Sequence, residues 1–363
     1  MTTLRYGIIG CGMMGQEHIK NIQLLENISI VAIFEPDAEM RSIARSLVPY
    51  VQFENSLAKL LERSDLDCLI IVSPNFVHAQ QLREITHLNP LPILVEKPLI
   101  TDAKDRTYIE KMIADYPAPV WVAMEYRYMP PVAALIEQVN DATGGVKLLT
   151  IREHRFPFLK KVGDWNRFNE KSGGTLVEKC CHFFDLMRLI LKSEPVRIMA
   201  SAGQSVNHLD ENYDGCTPDI WDNGYVIVDF ESGARAMLEL CMFAEGAEYQ
   251  EEISAIGAQG KIECLVPGPS RFWPDHLGAA PTPKLIISPR HPKGPIEHDI
   301  PVDPTLLNAG DHNGSTFYQH QKFQQVVLNN NVPEVSLNDG LMAVRMGMAA
   351  QESAATGHTI DLA

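Results

Sequence analysis

The stretch Arg5-Tyr-Gly-Ile-Ile-Gly10-Cys-Gly12-Met13-Met14-Gly15 decides the fold. A short apolar run, Tyr6–Ile9, leads directly into G-x-G-x-x-G, and a helical pattern opens at about Met14. A glycine-rich turn alone is a weak signal. Its context adds weight, because Glu35 follows Gly15 by twenty residues at the end of a second β-type run. Gly10 allows the tight turn, Gly12 lets a backbone approach a pyrophosphate, and Gly15 permits close helix packing. Met13 and Met14 begin the helix whose free amides and positive dipole end would face that pyrophosphate. A ribose diol would donate to Glu35, which would also repel a 2′-phosphate, so NAD is expected over NADP. NADP stays possible through Arg41, which could swing toward a 2′-phosphate or simply be solvated on a helix face.

Outward from this stretch, β-type runs alternate with helical segments as far as about Glu125. The runs are Tyr6–Ile9, Ile28–Phe34, Val51–Phe53, Cys68–Val72, Ile93–Glu96 and Val120–Met124. Most are continuously apolar, as strands buried on both faces are. Ser56 and Thr101 are candidate helix N-caps. Residues 1–125 therefore read as a Rossmann dinucleotide-binding domain.

The rhythm then changes. A helix near Pro131–Asn140, a strand near Val146–His154, a basic and aromatic loop and one long helix over Thr175–Leu191 precede strands at Arg197–Val206, Tyr225–Phe230, Ala234–Phe243, Glu251–Ile256 and Lys261–Val266. Ser232-Gly233 and Gln259-Gly260 read as turns between neighbours. Pro267 to Asn313 is rich in Pro and Gly and is expected to be mostly loop, and helices near Thr316–Leu328 and Asn338–Glu352 close the chain and are expected, with the Thr175–Leu191 helix, to cover one face of the sheet these strands form. Residues 126–363 are expected to form a second α/β domain with a large open, mostly antiparallel sheet. It would bind substrate and mediate oligomerisation.

A length of 363 residues fits two domains, and 45% hydrophobic with 21% charged residues is ordinary for a globular chain. The net charge of −15, with no Lys/Arg cluster, argues against a nucleic-acid partner. No signal-peptide pattern or membrane-length apolar run is readable. The seven cysteines form neither a disulfide framework nor C-x-x-C metal spacing, which points to the cytoplasm and to no metal site.

Glu96-Lys97-Pro98 closes the fifth strand at the sheet's carboxyl edge, where open α/β folds bind ligands. Pro98 restricts the backbone at Lys97, whose amine would reach past the strand ends. On the Thr175–Leu191 helix, Glu178, His182 and Asp185 fall at i, i+4 and i+7 and share a face, opposite Cys180, Phe183, Phe184, Met187 and Ile190. From His154 to Arg167 there is a local basic excess. Arg155, Trp165 and Arg167 are expected to wall the substrate pocket, with Arg167 serving an anionic substrate, and the lysines there to be solvated.

Together these elements resemble the Gfo/Idh/MocA family (glucose–fructose oxidoreductase, inositol dehydrogenase, rhizopine catabolism) over nearly the whole chain. The motifs occur in order: GCGMMG, Glu35, Ser73-Pro74-Asn75-Phe-Val-His78, Glu96-Lys97-Pro98, Tyr126-Arg127-Tyr128, the Gly-Gly-Thr helix with His182, and the closing Glu352–Ile360 helix and strand. The resemblance implies NAD(P) binding and oxidation of a secondary alcohol of a sugar, cyclitol or sugar acid. It also implies cofactor contacts at Ser73, Pro74, Asn75, His78, Glu96 and Lys97, and a homodimer or homotetramer. Lys97 and His182 match the family's polar catalytic residues, and Glu178 stands where many members carry aspartate. Lys179 occupies a position that is commonly apolar.

Oxidising a carbinol requires a base and a donor at one oxygen. His182 is the favoured base because an imidazole titrates near neutrality, and Lys97 would then stabilise the alkoxide while Glu178 orients either one or binds a neighbouring hydroxyl. The reverse assignment stays open. So do a cofactor-binding sensor without turnover and a reductase of an imine or ketone.

Overall fold

The computed structural model describes residues 3–362. Six parallel strands form the first sheet: β1 (Leu4–Ile9), β2 (Ile28–Phe34), β3 (Gln52–Glu54), β4 (Cys68–Ile71), β5 (Ile93–Glu96) and β6 (Val120–Ala123). Every residue of β4, β5 and β6 is buried. Such strands must be apolar on both faces, which is why the sequence shows them as unbroken runs. The order β3-β2-β1-β4-β5-β6 reverses direction between β1 and β4, which opens a crevice at the strands' carboxyl ends.

The second sheet has nine strands: β7 (Val146–His154), β8 (Pro195–Gly203), β9 (Asn223–Phe230), β10 (Arg235–Cys241), β11 (Glu251–Gly257), β12 (Gly260–Val266), β13 (Lys284–Pro289), β14 (Ile296–Asp299) and β15 (Ile360–Asp361). Its order is β14-β13-β12-β11-β7-β10-β9-β8-β15, antiparallel except where β10 runs parallel to β7. The helix Leu337–Thr356 packs on β8 and also meets the first sheet, because Gly340 lies where a Cβ would come within 2.8 Å of Val122.

Three local expectations need correction. The cap before residue 103 is Asp102, whose carboxylate accepts from Lys104 N, and not Thr101. The region after Pro267 is mostly loop, as expected, but it also carries β13 and β14, which extend the second sheet. Prolines disguised them, and β14 is a fully exposed edge strand where a nearby proline costs no ladder bond. The helix Ser315–Asn329 covers the first sheet instead of the second, with Phe323 edge-on to Tyr6 and Trp121. Finally, Thr175–Leu191 is two helices, Thr175–Glu178 and Cys181–Leu191, separated by a turn at Lys179–Cys180.

Candidate active site

A cleft of about 670 Å³ runs along the first sheet's carboxyl edge. Gly10, Gly12, Met13 and Met14 line one end and Glu35 borders it, while Ser73, Pro74, Asn75, Glu96 and Lys97 line the rest. Gly10 sits at φ +95°, and a Cβ there would lie 2.7 Å from Ser73 N, so the crossing of β1 and β4 admits only glycine. Gly15 does not line the cleft. A Cβ on it would fall 2.7 Å from Gly10 O, so its part is to let the helix Met13–Ile22 close on the turn. That helix starts at Gly12 with no side-chain cap, which leaves its first amides for a ligand.

Glu35 is held rigidly, its Oε2 accepting from Cys11 N at 2.5 Å and its Oε1 from Asp37 N at 2.8 Å. Burial raises its carboxyl pKa, with those two amides working against the shift. Each oxygen keeps a lone pair for a ribose hydroxyl. Arg41 is occupied at the rear, donating to the carbonyls of Glu35 and Pro36. Asn75 is 6% exposed and its Nδ2 has no partner, which is a donor held in reserve at the cleft wall. His78 lies behind the wall, its ring bridging the carbonyls of Ser73 and Pro98, so it supports the cleft without lining it. A dinucleotide therefore fits this donor set: free helix amides for the pyrophosphate, a fixed carboxylate for the ribose and an unspent amide further along.

A second, smaller cavity of about 100 Å³ adjoins the cleft. Met13, Met14, Lys97 and Lys161 line both. Lys97, Glu178 and His182 meet in it, as the sequence led one to expect, but the turn at Lys179–Cys180 changes their company. Glu178, Lys179 and His182 all line the cavity, whereas Asp185 turns to a bidentate pair with Arg127 at 2.5 Å. On a continuous helix Lys179 would point elsewhere. Lys179 instead reaches Glu153 at 2.8 Å and the Tyr126 hydroxyl.

The electrostatics sort the protic groups. Burial works against charge on Lys97, yet the surrounding Glu178, Cys181, Glu96 and Glu125 raise its pKa and keep it cationic. Burial also pushes the Glu178 carboxyl up, but Lys97, Lys161, Lys179 and Arg155 overcome this and hold it at about 2. His182 falls well below the ordinary imidazole value because it is buried among Lys97, Lys179, His312 and Arg155. Its ring stacks on Tyr126 with centroids 4.1 Å apart, which fixes its plane.

The basic loop divides differently from its sequence reading. Arg155 lines the small cavity and Trp165 the cleft, but Arg167 lines neither and pairs with Glu211 at 2.9 Å. Lys161, expected in solvent, is 25% exposed, sits 3.5 Å from Glu178 and lies over the Trp165 ring at 4.6 Å. Glu125, Lys179, Glu251 and His312 also line the cavity without having been singled out as site residues. Only Lys179 carried a signal, as a charge at a commonly apolar position.

Two family signatures coincide with these two sheets: an oxidoreductase-family NAD-binding Rossmann fold over residues 4–124 and an oxidoreductase-family C-terminal alpha/beta domain over 136–362. The chain belongs to the Gfo/Idh/MocA oxidoreductase family. An uncharacterized oxidoreductase, YrbE of Bacillus subtilis, is 24% identical over 361 residues, 98% of this chain and 96% of that protein. Inositol 2-dehydrogenase of Rhizobium meliloti is 26% identical over 262 residues, 72% of this chain and 75% of that one. Among solved structures, an Agrobacterium radiobacter oxidoreductase in complex with NAD+, L-tartaric acid and magnesium superposes with a TM-score of 0.80 at 17% identity, covering 99% of this chain and 98% of that one. The cleft along Gly10–Met14 and Glu35 lies within the residues that match this family's NAD-binding Rossmann fold.

Proposed function

We propose that this Gfo/Idh/MocA oxidoreductase oxidises a secondary alcohol of a neutral sugar or cyclitol. The observation carrying this reading is the convergence of Lys97, Glu178 and His182 on one small cavity that shares a wall with the NAD cleft. Bound NAD would supply the hydride acceptor, held by the helix amides after Gly12, by Glu35 and by Asn75. His182, kept neutral by burial and by the cations around it, is the group able to take the hydroxyl proton. Lys97 stays protonated, and its ammonium stabilises the oxygen as negative charge develops. Glu178 fixes that ammonium, its backbone oxygen accepting from Lys97 Nζ at 3.1 Å and its carboxylate lying 4.0 Å away.

Substrate neutrality follows from which charges are already spent. Lys97 and Lys161 face Glu178, and Lys179 and Arg155 both face Glu153. An anionic substrate would have to compete with those carboxylates for each cation. The inositol dehydrogenases among the relatives support the cyclitol class. The test is absorbance of reduced cofactor with pure protein, NAD and a panel of inositols, aldoses, sugar acids and sugar phosphates. Turnover of neutral polyols is expected; turnover of sugar acids or phosphates alone overturns the substrate class, and none with any alcohol overturns the function.

A further inference from the structure

Glu125 opens the short helical turn Glu125–Tyr128 directly after β6 and is 1% exposed, yet neither carboxylate oxygen has a hydrogen-bond partner. Leaving an ionisable group buried and unbonded costs several kcal/mol by the general scale for such groups, so its retention calls for a use. It lines the same cavity as Lys97 and His182, and its Oε1 lies 3.7 Å from His182 Nε2. Stacking on Tyr126 prevents the imidazole from swinging to another acceptor.

His182 has a difficulty that Glu125 answers. Lys97, Lys179, His312 and Arg155 surround it, so an imidazolium formed there would be a further cation among four basic side chains. A proton taken from substrate needs somewhere else to rest. Glu178 does not serve, because its carboxylate is engaged by Lys97 and Lys161. The carboxylate next to the imidazole ring is Glu125.

Resting on the proposed alcohol oxidation, we infer that Glu125 receives the proton which His182 withdraws from the substrate hydroxyl, so that the imidazole and the carboxylate work as one base. The balance is complete with NAD as oxidant. The carbinol C–H bond breaks and its electron pair leaves with the hydrogen as hydride for the nicotinamide, while the O–H bond breaks and its electron pair forms the second bond of the carbonyl. The imidazole gains that proton at Nε2 and hands it on from the same nitrogen to Glu125 Oε1, while the buried Nδ1 keeps its own hydrogen, leaving neutral imidazole beside a carboxylic acid. In the reverse direction Glu125 returns it. Glu125 acts only through His182, as a positioning and proton-holding partner.

The surroundings of Glu125 set its pH range. Burial, followed by Glu96 at the end of β5, raises it, whereas His312 from the loop before the Ser315–Asn329 helix and Lys97 lower it, and it comes to about 7. His182 and Cys181 face it from the helix Cys181–Leu191 and Tyr126 adjoins it in its own turn. Above about pH 7 the carboxylate is ionised and can accept, so alcohol oxidation should rise through that pH while carbonyl reduction falls.

The test uses Glu125→Gln, which keeps shape but cannot take a proton, and Glu125→Asp, which keeps the acid. In the full-length protein, kcat against pH is measured in the oxidising direction with the best neutral polyol, and the His182 ring is followed by NMR titration without substrate. We expect Glu125→Gln to lower kcat about a hundredfold with little change in KM and to lose the rise near pH 7, with Glu125→Asp restoring part of the rate. We also expect the His182 titration to differ between wild type and Glu125→Gln. An unchanged kcat profile overturns the inference, as does a His182 titration identical in the two proteins. If Glu125→Gln does not fold, Glu125→Asp decides by whether its pH rise moves with the shorter acid; an unmoved rise overturns the inference. If the wild type oxidises no alcohol, the proposed function fails, and the NMR comparison still decides whether the two groups share a proton.

Discussion

Lys97 Nζ donates to the backbone oxygen of Glu178 at 3.1 Å, joining the last residue before Pro98 in the Rossmann domain to the short helix of the second domain. The bond crosses 81 residues of sequence, and it fixes the ammonium beside the larger cleft and the smaller cavity at once. Lys97→Ala and His182→Ala should each lower kcat by about a hundredfold or more while leaving NAD affinity within a few fold, because neither faces the pyrophosphate end of the cleft. Steady-state kinetics beside calorimetric NAD binding checks this, and near-normal turnover in either variant would assign the proton step elsewhere.

Glu35 should impose a preference for NAD. Its carboxylate is locked by two backbone amides and cannot rotate away from a 2′-phosphate, and Arg41 is tied to the carbonyls behind it. The ratio of kcat/KM for NAD over NADP should be well above one and should shrink in Glu35→Ala. A wild-type ratio at or below one contradicts this assignment.

Trp165 and Arg167 should separate cleanly. Trp165 walls the cleft and packs edge-on to Phe76 with centroids 6.2 Å apart, so Trp165→Ala should weaken NAD binding about tenfold, in line with loss of a buried aromatic contact. Arg167 faces Glu211, so Arg167→Ala should leave the KM of neutral and anionic compounds alike and lower stability instead. A selective rise in KM for anions would restore the acidic-substrate reading.

Arg127 and Asp185 form a nearly dry ion pair, with side chains 10% and 0% exposed. Arg127→Met strands a buried carboxylate, and such a loss costs about 3–5 kcal/mol. Denaturant unfolding should show that drop; Arg127→Met paired with Asp185→Leu should recover much of it, and an additive double variant would show that the pair is not the cause.

The outer face of the second sheet should pair copies of this chain. Leu148, Ile227 and Ile256 are 50%, 41% and 38% exposed, and the register sets the apolar pairs Leu148↔Ile256 and Met237↔Ile227 in successive rows of this face, with Arg235 and Thr150 between them. Light scattering should find a dimer or larger assembly at micromolar concentration, and Ile227→Lys should shift it toward monomer. A monomeric wild type refutes the expectation.

The sequence by itself determined the Rossmann half almost completely. Strands buried on both faces have to be continuous apolar runs, and a turn that admits only glycine at Gly10 has to be written as glycine, so local chemistry and tertiary role coincide. Lys97, Glu178 and His182 were legible for a similar reason, since each is polar where its element is otherwise apolar. Tertiary structure alone decided the rest. Helical periodicity put Asp185 with His182 and turned Lys179 away, but the turn at Lys179–Cys180 exchanged them, and no spacing rule encodes a break made by packing. The lysine-rich loop looked solvated until Glu178 and Trp165 gave Lys161 a partner on each side, and Glu125 was one more acidic residue after a strand until the fold buried it beside His182. Charge and polarity are written residue by residue, whereas the dielectric and the neighbours that give them chemical meaning exist only once distant segments meet.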